Sequence, residues 1–396
     1  MEPEAEPQPR LHLNFLDGIR GLSALYVVMY HIYHELTGYQ HSHLGPSRLI
    51  FAMEKLFGWG GHDCVTVFIC LSGFSLAIPL AKASYQNLAN RVEMKNYFIR
   101  RFLRIAPPYF VAIALIVGLA LVFPGLSVPT QTPWNNALPI LDARSILFHL
   151  TFIQALDPSQ VFKISPQFWS IGTEAQLYLW LPLVIVPLAV KRSISWAMGA
   201  ALLACLVVVQ IKNFESACLH YVLTFTAGAL AAHQVFSKPK GRERWKLPQI
   251  ALGVGLFVGA LTVAFLRHNS WAVRDIALTP MLGFGLYWLA KDNNPSGIVQ
   301  AIRAFLGCRP VAFLGRISYS LYLVHYVLLA LVHATLVSRG VSVHLTVLVL
   351  ILGVPFFSVL VAWIMQLLVE SPSMNYAKRF RESNMRSEYA KGPIGT

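Results

Sequence analysis

Apolar residues run along this chain in blocks of about 20, the length a helix needs to cross a bilayer core, and the polar residues collect between the blocks. That pattern predicts an all-α fold, a polytopic transmembrane helix bundle of about ten spanning helices. The spans fall near 16–36, 62–82, 105–123, 168–190, 194–211, 217–236, 249–266, 274–291, 312–336 and 344–369. An even count puts both termini on one side. With that side cytoplasmic, 23 of the 32 Lys and Arg fall in inner segments, eight in outer ones, and Arg20 within the first span. Retention of positive charge on the cytoplasmic side favours this orientation. Residues 145–156 (SILFHLTFIQAL) are apolar but too short to span, so they are expected as an outer-surface or re-entrant helix; a true span there would invert everything after it. The organisation expected is a disordered cytoplasmic tail at 1–13, a membrane domain at 14–372 and a basic cytoplasmic tail at 373–396, disordered or bound to the membrane surface. No internal repeat or second soluble domain is evident, and the longest loop, about 124–167 with Trp134, Asn135 and Asn136, is a candidate cover or acceptor-binding element.

Composition agrees: 56% of the 396 residues are hydrophobic and only 13% charged, against about 25% charged in soluble domains. The net charge of +14 would fit a nucleic-acid partner, but the basic residues form short clusters between apolar runs, so the partner implied is the lipid bilayer. No nucleic acid is expected. The chain is expected to be an integral, multi-pass protein of the plasma (inner) membrane. Its five cysteines lack CxxC spacing and sit mostly within apolar runs, which indicates buried thiols, not a disulfide framework or zinc site. The acidic, proline-rich start (MEPEAEPQPR) has no basic n-region of a signal peptide.

Ionisable groups inside a bilayer cost about 2.5–3.5 kcal/mol each on insertion scales, so each one is a functional candidate. Arg20 and His31 lie eleven residues apart on the first span, which is about 20° past three turns and about 16 Å along the axis. They share a face, and Asp17 is placed to pair with Arg20. Glu174, about 9 Å into the fourth span, is a candidate to face His31 at similar depth and support it as a general base. Gln167, Gln176, Trp169 and Tyr178 are its neighbours in sequence. Arg100, Arg101 and Arg104 put three guanidiniums at the inner surface, where forked donors suit phosphates; Pro107 and Pro108 are read as the start of the third span. Ser318, Tyr319, Tyr322 and His325 place polar groups along the ninth span. Ser72, Gly73 and Ser75 do so on the second, where Gly73 permits close approach of a helix or ligand. His62 and Asp63 stand at its outer mouth. HELTG carries Gly38 where a zinc HExxH motif needs histidine, His41 and His43 add no such spacing, and no metal site is expected.

These segments resemble the acyltransferase 3 family of integral membrane proteins. The resemblance rests on LDGIRGLSALYVVMYH, FICLSGFSL, YFIRRFLRIAPPY, FWSIGTEAQLYLWLPL, LGRISYSLYLVHY and VESP, in that order over about 14–372. It implies a ten-helix acyltransferase domain, an acyl-CoA donor (acetyl-CoA the commonest) entering from the cytoplasm as co-substrate, and O-acylation of a hydroxyl on a glycan, lipid-linked or small-molecule acceptor. Carried onto this chain, it implies His31, Arg20 and Glu174 as catalytic residues, and Arg100, Arg101, Arg104, Ser318 and Tyr322 as donor-binding ones. The family's tandem glutamate appears here as Thr173-Glu174-Ala175, a single carboxylate. Many members add a further helix and an esterase-like domain, so acceptor selection is expected from the membrane domain or a partner. The rival reading is a transporter or export partner without acyl transfer; the lack of inverted repeats weighs against it. The plain alternatives are a snorkelling arginine, a structural histidine, a positive-inside anchor and interhelical hydrogen bonding.

Overall fold

A computed structural model describes residues 13–37, 48–58, 60–83, 91–126, 139–208, 218–237, 271–291 and 297–390, without the side chains of 83, 91–93, 208 and 381–390. All regular structure among the described residues is helical. Helix α1 is Asn14–Leu36, α2 Arg48–Phe57, α3 Gly61–Ala83 and α4 Arg91–Val122. A short α5, Ala143–Leu150, precedes α6, Trp169–Trp180, which passes through a π-helical turn at Leu181–Ile185 into α7, Val186–Lys191. Next come α8, Ile194–Val208, α9, Tyr221–Phe236, α10, Trp271–Ala290, α11, Gly297–Leu306, and α12, Arg309–Ser338. The last rod joins α13, Val343–Leu348, and α14, Val354–Met365, to α15, Ser371–Ala390, through π turns at Val349–Gly353 and Gln366–Glu370.

Five stretches among the described residues are long and apolar enough to cross a membrane: Arg48–Lys82, Met94–Val122, Pro166–Lys191, Arg309–Ser338 and Val343–Phe380. Helices also lie over every other expected span except 249–266, which falls outside the described residues. So do residues 1–12, Gly38, His41, His43, Trp134 to Asn136 and the basic cluster Lys238 to Lys246. The bundle turns large apolar side chains outward, among them Leu203 (64% exposed), Leu368 (72%) and Phe356 (74%), which water would penalise and lipid would not.

Two expectations about helix ends are corrected. The third span does not begin at Pro107: α4 starts at Arg91 and runs through Pro107 and Pro108. Two missing N–H groups weaken one turn without ending a 32-residue helix, and beside them the Tyr319 hydroxyl donates to the Ile105 carbonyl (2.9 Å). The start of the expected tail at 373–396 is ordered as α15, which packs on α4 and buries Ala377. Its polar sequence offered no apolar stripe to read, and the helix is held by its contacts along α4.

The contacts fix relative directions. Along α1 and α12, Gly21 meets Gly315, His31 meets His325 and Glu35 meets His333, so the two run parallel. Arg20 reaches Ser75 while Tyr30 abuts Gly61, so α3 runs opposite to α1. Tyr97 bonds the Tyr178 carbonyl and Tyr109 packs on Phe168, which makes α4 antiparallel to α6. His220 pairs with Asp275 and Thr224 with Thr279, so α9 and α10 are parallel although successive among the described helices. The N-termini of α3, α6, α9 and α10 therefore meet at one end of the bundle.

Two helix pairs approach to backbone contact. A Cβ on Gly73 would overlap the Phe225 carbonyl, and one on Gly228 the Cys70 carbonyl, so α3 and α9 interlock through both glycines. Gly21 and Gly315 do the same for α1 and α12. Small residues are the usual means of close packing where lipid removes the hydrophobic drive between helices.

The segment 145–156 is no span. α5 is capped by Asp142, which accepts from the Ser145 amide (2.6 Å), and the buried Gln154 after it donates to the Tyr109 hydroxyl (3.2 Å) and Phe168 carbonyl (3.0 Å). The Ser145 amide also holds the Asp142 carboxyl below its ordinary range. A lowered carboxylate pKa stabilises the fold above the unfolded value, about 3.9, and that contribution disappears as pH falls through the folded value. The protection of amides 143–147 against exchange, taken relative to the intrinsic rate at each pH, should therefore fall on acidification below about pH 4 in the parent and change little in Asp142→Asn, which caps without titrating. An equal loss of protection in both would remove the cap as cause.

Candidate functional site

The first polar element is local. Arg20 donates to Asp17 (3.0 Å) one turn away and to Ser75 on α3 (2.6 Å), so the expected Asp17 pair is present and the second serine of the FICLSGFSL stretch becomes its cross-helix partner. The first serine, Ser72, donates to Glu174 Oε1 (2.9 Å), which also accepts from the Tyr178 hydroxyl (2.8 Å). Arg20, Ser72, Glu174, Arg104, Ser318 and Tyr322 all line one cavity between the helices. Arg104 makes no hydrogen bond or ion pair among the described residues, so a half-buried guanidinium faces this space with its donors uncommitted. Two guanidiniums and one carboxylate around a cavity suit an anionic or strongly dipolar ligand.

The expected basic triad is not convergent. Arg104 reaches the cavity; Arg101 lies over the Tyr97 and Tyr178 rings (6.0 and 5.8 Å); Arg100 is half-buried and does not line the space. Both Ser318 and Tyr322 line it, but the Ser318 hydroxyl donates to the Gly315 carbonyl (2.8 Å), and Tyr322 bonds Ser170 (2.8 Å) and the Gln167 carbonyl (3.0 Å). Gln167 itself donates to Leu323 O (3.1 Å) and clamps α12. The Gln176 amide is buried with neither atom hydrogen-bonded among the described residues.

His31 stands apart from this cavity, and its partner is not Glu174. Its Nδ1 lies 2.9 Å from His325 Nε2, and Glu174 is not among its hydrogen-bond partners. The register between α6 and α12 explains the difference. Ser170 is level with Tyr322; Glu174 is one turn beyond it toward Arg20, and His325 one turn the other way. About seven residues, or ~10 Å, separate the two levels.

The two imidazoles form a directional chain. His325 Nδ1 sits 2.8 Å from the Tyr322 carbonyl and 3.1 Å from the Leu321 carbonyl, which only accept, so Nδ1 carries the proton and Nε2 the lone pair. His31 Nδ1–H then donates to that lone pair, and His31 Nε2 is left as the unprotonated nitrogen. His325 is buried and His31 half-buried, with Tyr326 edge-on to its ring (4.8 Å). The ring thus faces the bundle interior in one tautomer, with a free lone pair.

The model of the acyltransferase 3 family, described as an acyltransferase domain, matches residues 13–367, nearly the whole chain. The chain belongs to the acyltransferase 3 family. With five helices of membrane-crossing character, that membership makes it an integral membrane protein. It is also similar to the O-acetyltransferase OatA of Staphylococcus aureus strain NCTC 8325 / PS 47, 22% identical over 365 residues, covering 86% of this chain and 54% of the relative. OatA of Staphylococcus aureus strain COL gives the same identity and coverage. The chain spans about half the length of these curated relatives. No solved structure matches it.

Three groups escaped sequence reading. His325 was visible only as one polar group on a helix, not as the partner of His31. Glu370 of VESP accepts from Ser320 (2.8 Å), tying the last rod to α12. Asp275, buried and bound by His62, His220 and Thr66, carried the signal of an ionisable residue near the start of a span.

Proposed function

We propose that the protein is a membrane O-acetyltransferase, moving an acetyl group from acetyl-CoA supplied at the cytoplasmic face to a hydroxyl of a carbohydrate or related acceptor at the other. The observation that carries this reading is the His325–His31 chain, which leaves His31 Nε2 as a positioned proton acceptor inside the bundle. The family and the O-acetyltransferase relatives support it. Arg104, and Arg20 beyond it, bind the phosphates or the thioester end of the donor, and the pantetheine arm lies along α12 past Ser318 and Tyr322 toward His31. His31 removes the acceptor's proton as its oxygen attacks the thioester carbon; the carbon–sulfur bond breaks, and coenzyme A leaves as thiolate and takes up a proton. Hydrogen bonding to His325 orients the ring and spreads the charge it gains. Glu174, held by Ser72 and Tyr178, offsets the charge of Arg20 and Arg104. Both termini lie in the cytoplasm. The parallel course of α9 and α10 supports that topology, since it fits the expected further span at 249–266.

Purified protein given labelled acetyl-CoA and an alcohol acceptor should release free coenzyme A; a transporter or export partner releases none. Arg104→Ala should raise KM for acetyl-CoA by about 10- to 100-fold, the equivalent of one charge-assisted hydrogen bond of about 1.5–3 kcal/mol. An unchanged KM would remove Arg104 from donor binding.

A further inference from the structure

The end of the bundle remote from Arg104 holds a second constellation that the proposed reaction leaves unused. Asp275, whose side chain is fully buried, accepts on Oδ2 from His62 Nε2 (2.8 Å) and His220 Nε2 (2.8 Å), and on Oδ1 from Thr66 (2.5 Å). A carboxylate bound this way makes both Nε2 atoms donors, with the Tyr221 hydroxyl also 3.1 Å from His62 Nε2, so the neutral form of each ring carries its lone pair on Nδ1. His220 is 4% exposed and sealed, whereas His62 keeps 16% of its side chain accessible. The His62 ring stacks on Trp169 (centroids 5.4 Å, 12°) and borders Trp271 (4.7 Å), which is itself 58% exposed. Beside them Arg274 pairs with Asp63.

We infer that His62 and Trp271 form a binding subsite for a sugar ring, the acceptor's entry point; its assignment to the acceptor rests on the transfer reading above. A lone pair aimed at an accessible edge selects a ligand that donates. Carboxylates and phosphodiesters at neutral pH have no such proton, whereas a hydroxyl does. A polyhydroxylated ring meets both demands: its C–H face lies on the exposed indole, as amphipathic aromatics allow, while one hydroxyl donates to His62 Nδ1. Trp271 and His62 touch the ligand; Asp275 acts through His62 and is a positioning residue.

Equilibrium dialysis of tritiated chitotriose against the purified full chain in lipid nanodiscs, without acetyl-CoA, tests the subsite independently of turnover. The parent should bind saturably. Trp271→Ala, at an exposed position, and His62→Gln, which keeps a donor for Asp275, should each weaken binding by about ten-fold or more, as loss of one hydrogen bond or stacking contact implies. With chitotriose as acceptor, Asp275→Asn should raise acceptor KM about ten-fold with kcat within about two-fold, a split that general unfolding does not give. No saturable binding by the parent, or equal affinity in parent, Trp271→Ala and His62→Gln, overturns the subsite. Sugar binding without coenzyme A release would refute acetyl transfer and leave the subsite standing.

Discussion

Replacing His31 by alanine is expected to lower acetyl transfer by about 10²- to 10⁴-fold, the range a positioned acid–base group supplies, with the fold and acetyl-CoA binding retained. Within the histidine pair the lone pair left over is on His31 Nε2, because His325 is committed through Nδ1 to the Tyr322 and Leu321 carbonyls and accepts His31 Nδ1–H on Nε2. Two variants of the partner sharpen the test. His325→Gln keeps an amide oxygen for His31 and should retain more activity than His325→Leu, which strands a buried donor at about 1–3 kcal/mol and frees the ring to adopt the other tautomer. Release of labelled coenzyme A is the readout, with thermal melts to confirm folding. Undiminished turnover in His31→Ala would take this ring out of the chemistry, and equal activity in the two His325 variants would deny the relay.

A methyl group in the wrong place should be as damaging as a lost base. Gly73→Ala and Gly228→Ala each drive a carbon into a carbonyl of the facing helix, and backbone cannot swing aside as a side chain can. Overpacking typically costs about 1–3 kcal/mol, and valine at either position should cost more, enough to lose monodisperse protein. Gly118→Ala on α4 is the control, since its added carbon meets nothing within 4 Å and alanine favours a helix by about 1 kcal/mol over glycine. Melting midpoints in detergent separate the cases: a drop at residues 73 and 228 with none at 118 is expected, and unaltered midpoints at both glycines would mean that α3 and α9 are not interlocked there.

How legible the site was depended on how local each contact is. The Arg20–Asp17 pair spans three residues of one helix, and helical geometry alone foretold it. Gly73 was readable as a point of close approach, though not which helix would approach. The pairing of His31 with Glu174 rested on equal depth measured from supposed helix starts. The buried 3-10 turn at Pro166–Phe168 and the Gln154 and Gln167 bonds set α6 about two turns away from that register. Arg100, Arg101 and Arg104 looked equivalent as a basic cluster, yet α4 begins earlier than its prolines indicated and turns only Arg104 into the cavity.

From the sequence alone followed the helical class, the outward apolar surface, the family, and the set of polar groups costly enough inside a membrane to need a purpose. Those are sums over residues and their near neighbours: hydrocarbon transfer accumulates along a run, and backbone hydrogen bonds close within four residues. Tertiary structure decided the partners: His325 for His31, Ser72 and Tyr178 for Glu174, and Asp275 for His62. A hydrogen bond tolerates only a few tenths of an ångström, while a slip of one turn between helices moves a group by about 5.4 Å. Such a slip leaves every local preference satisfied, so contacts far apart in the chain had to choose among the registers.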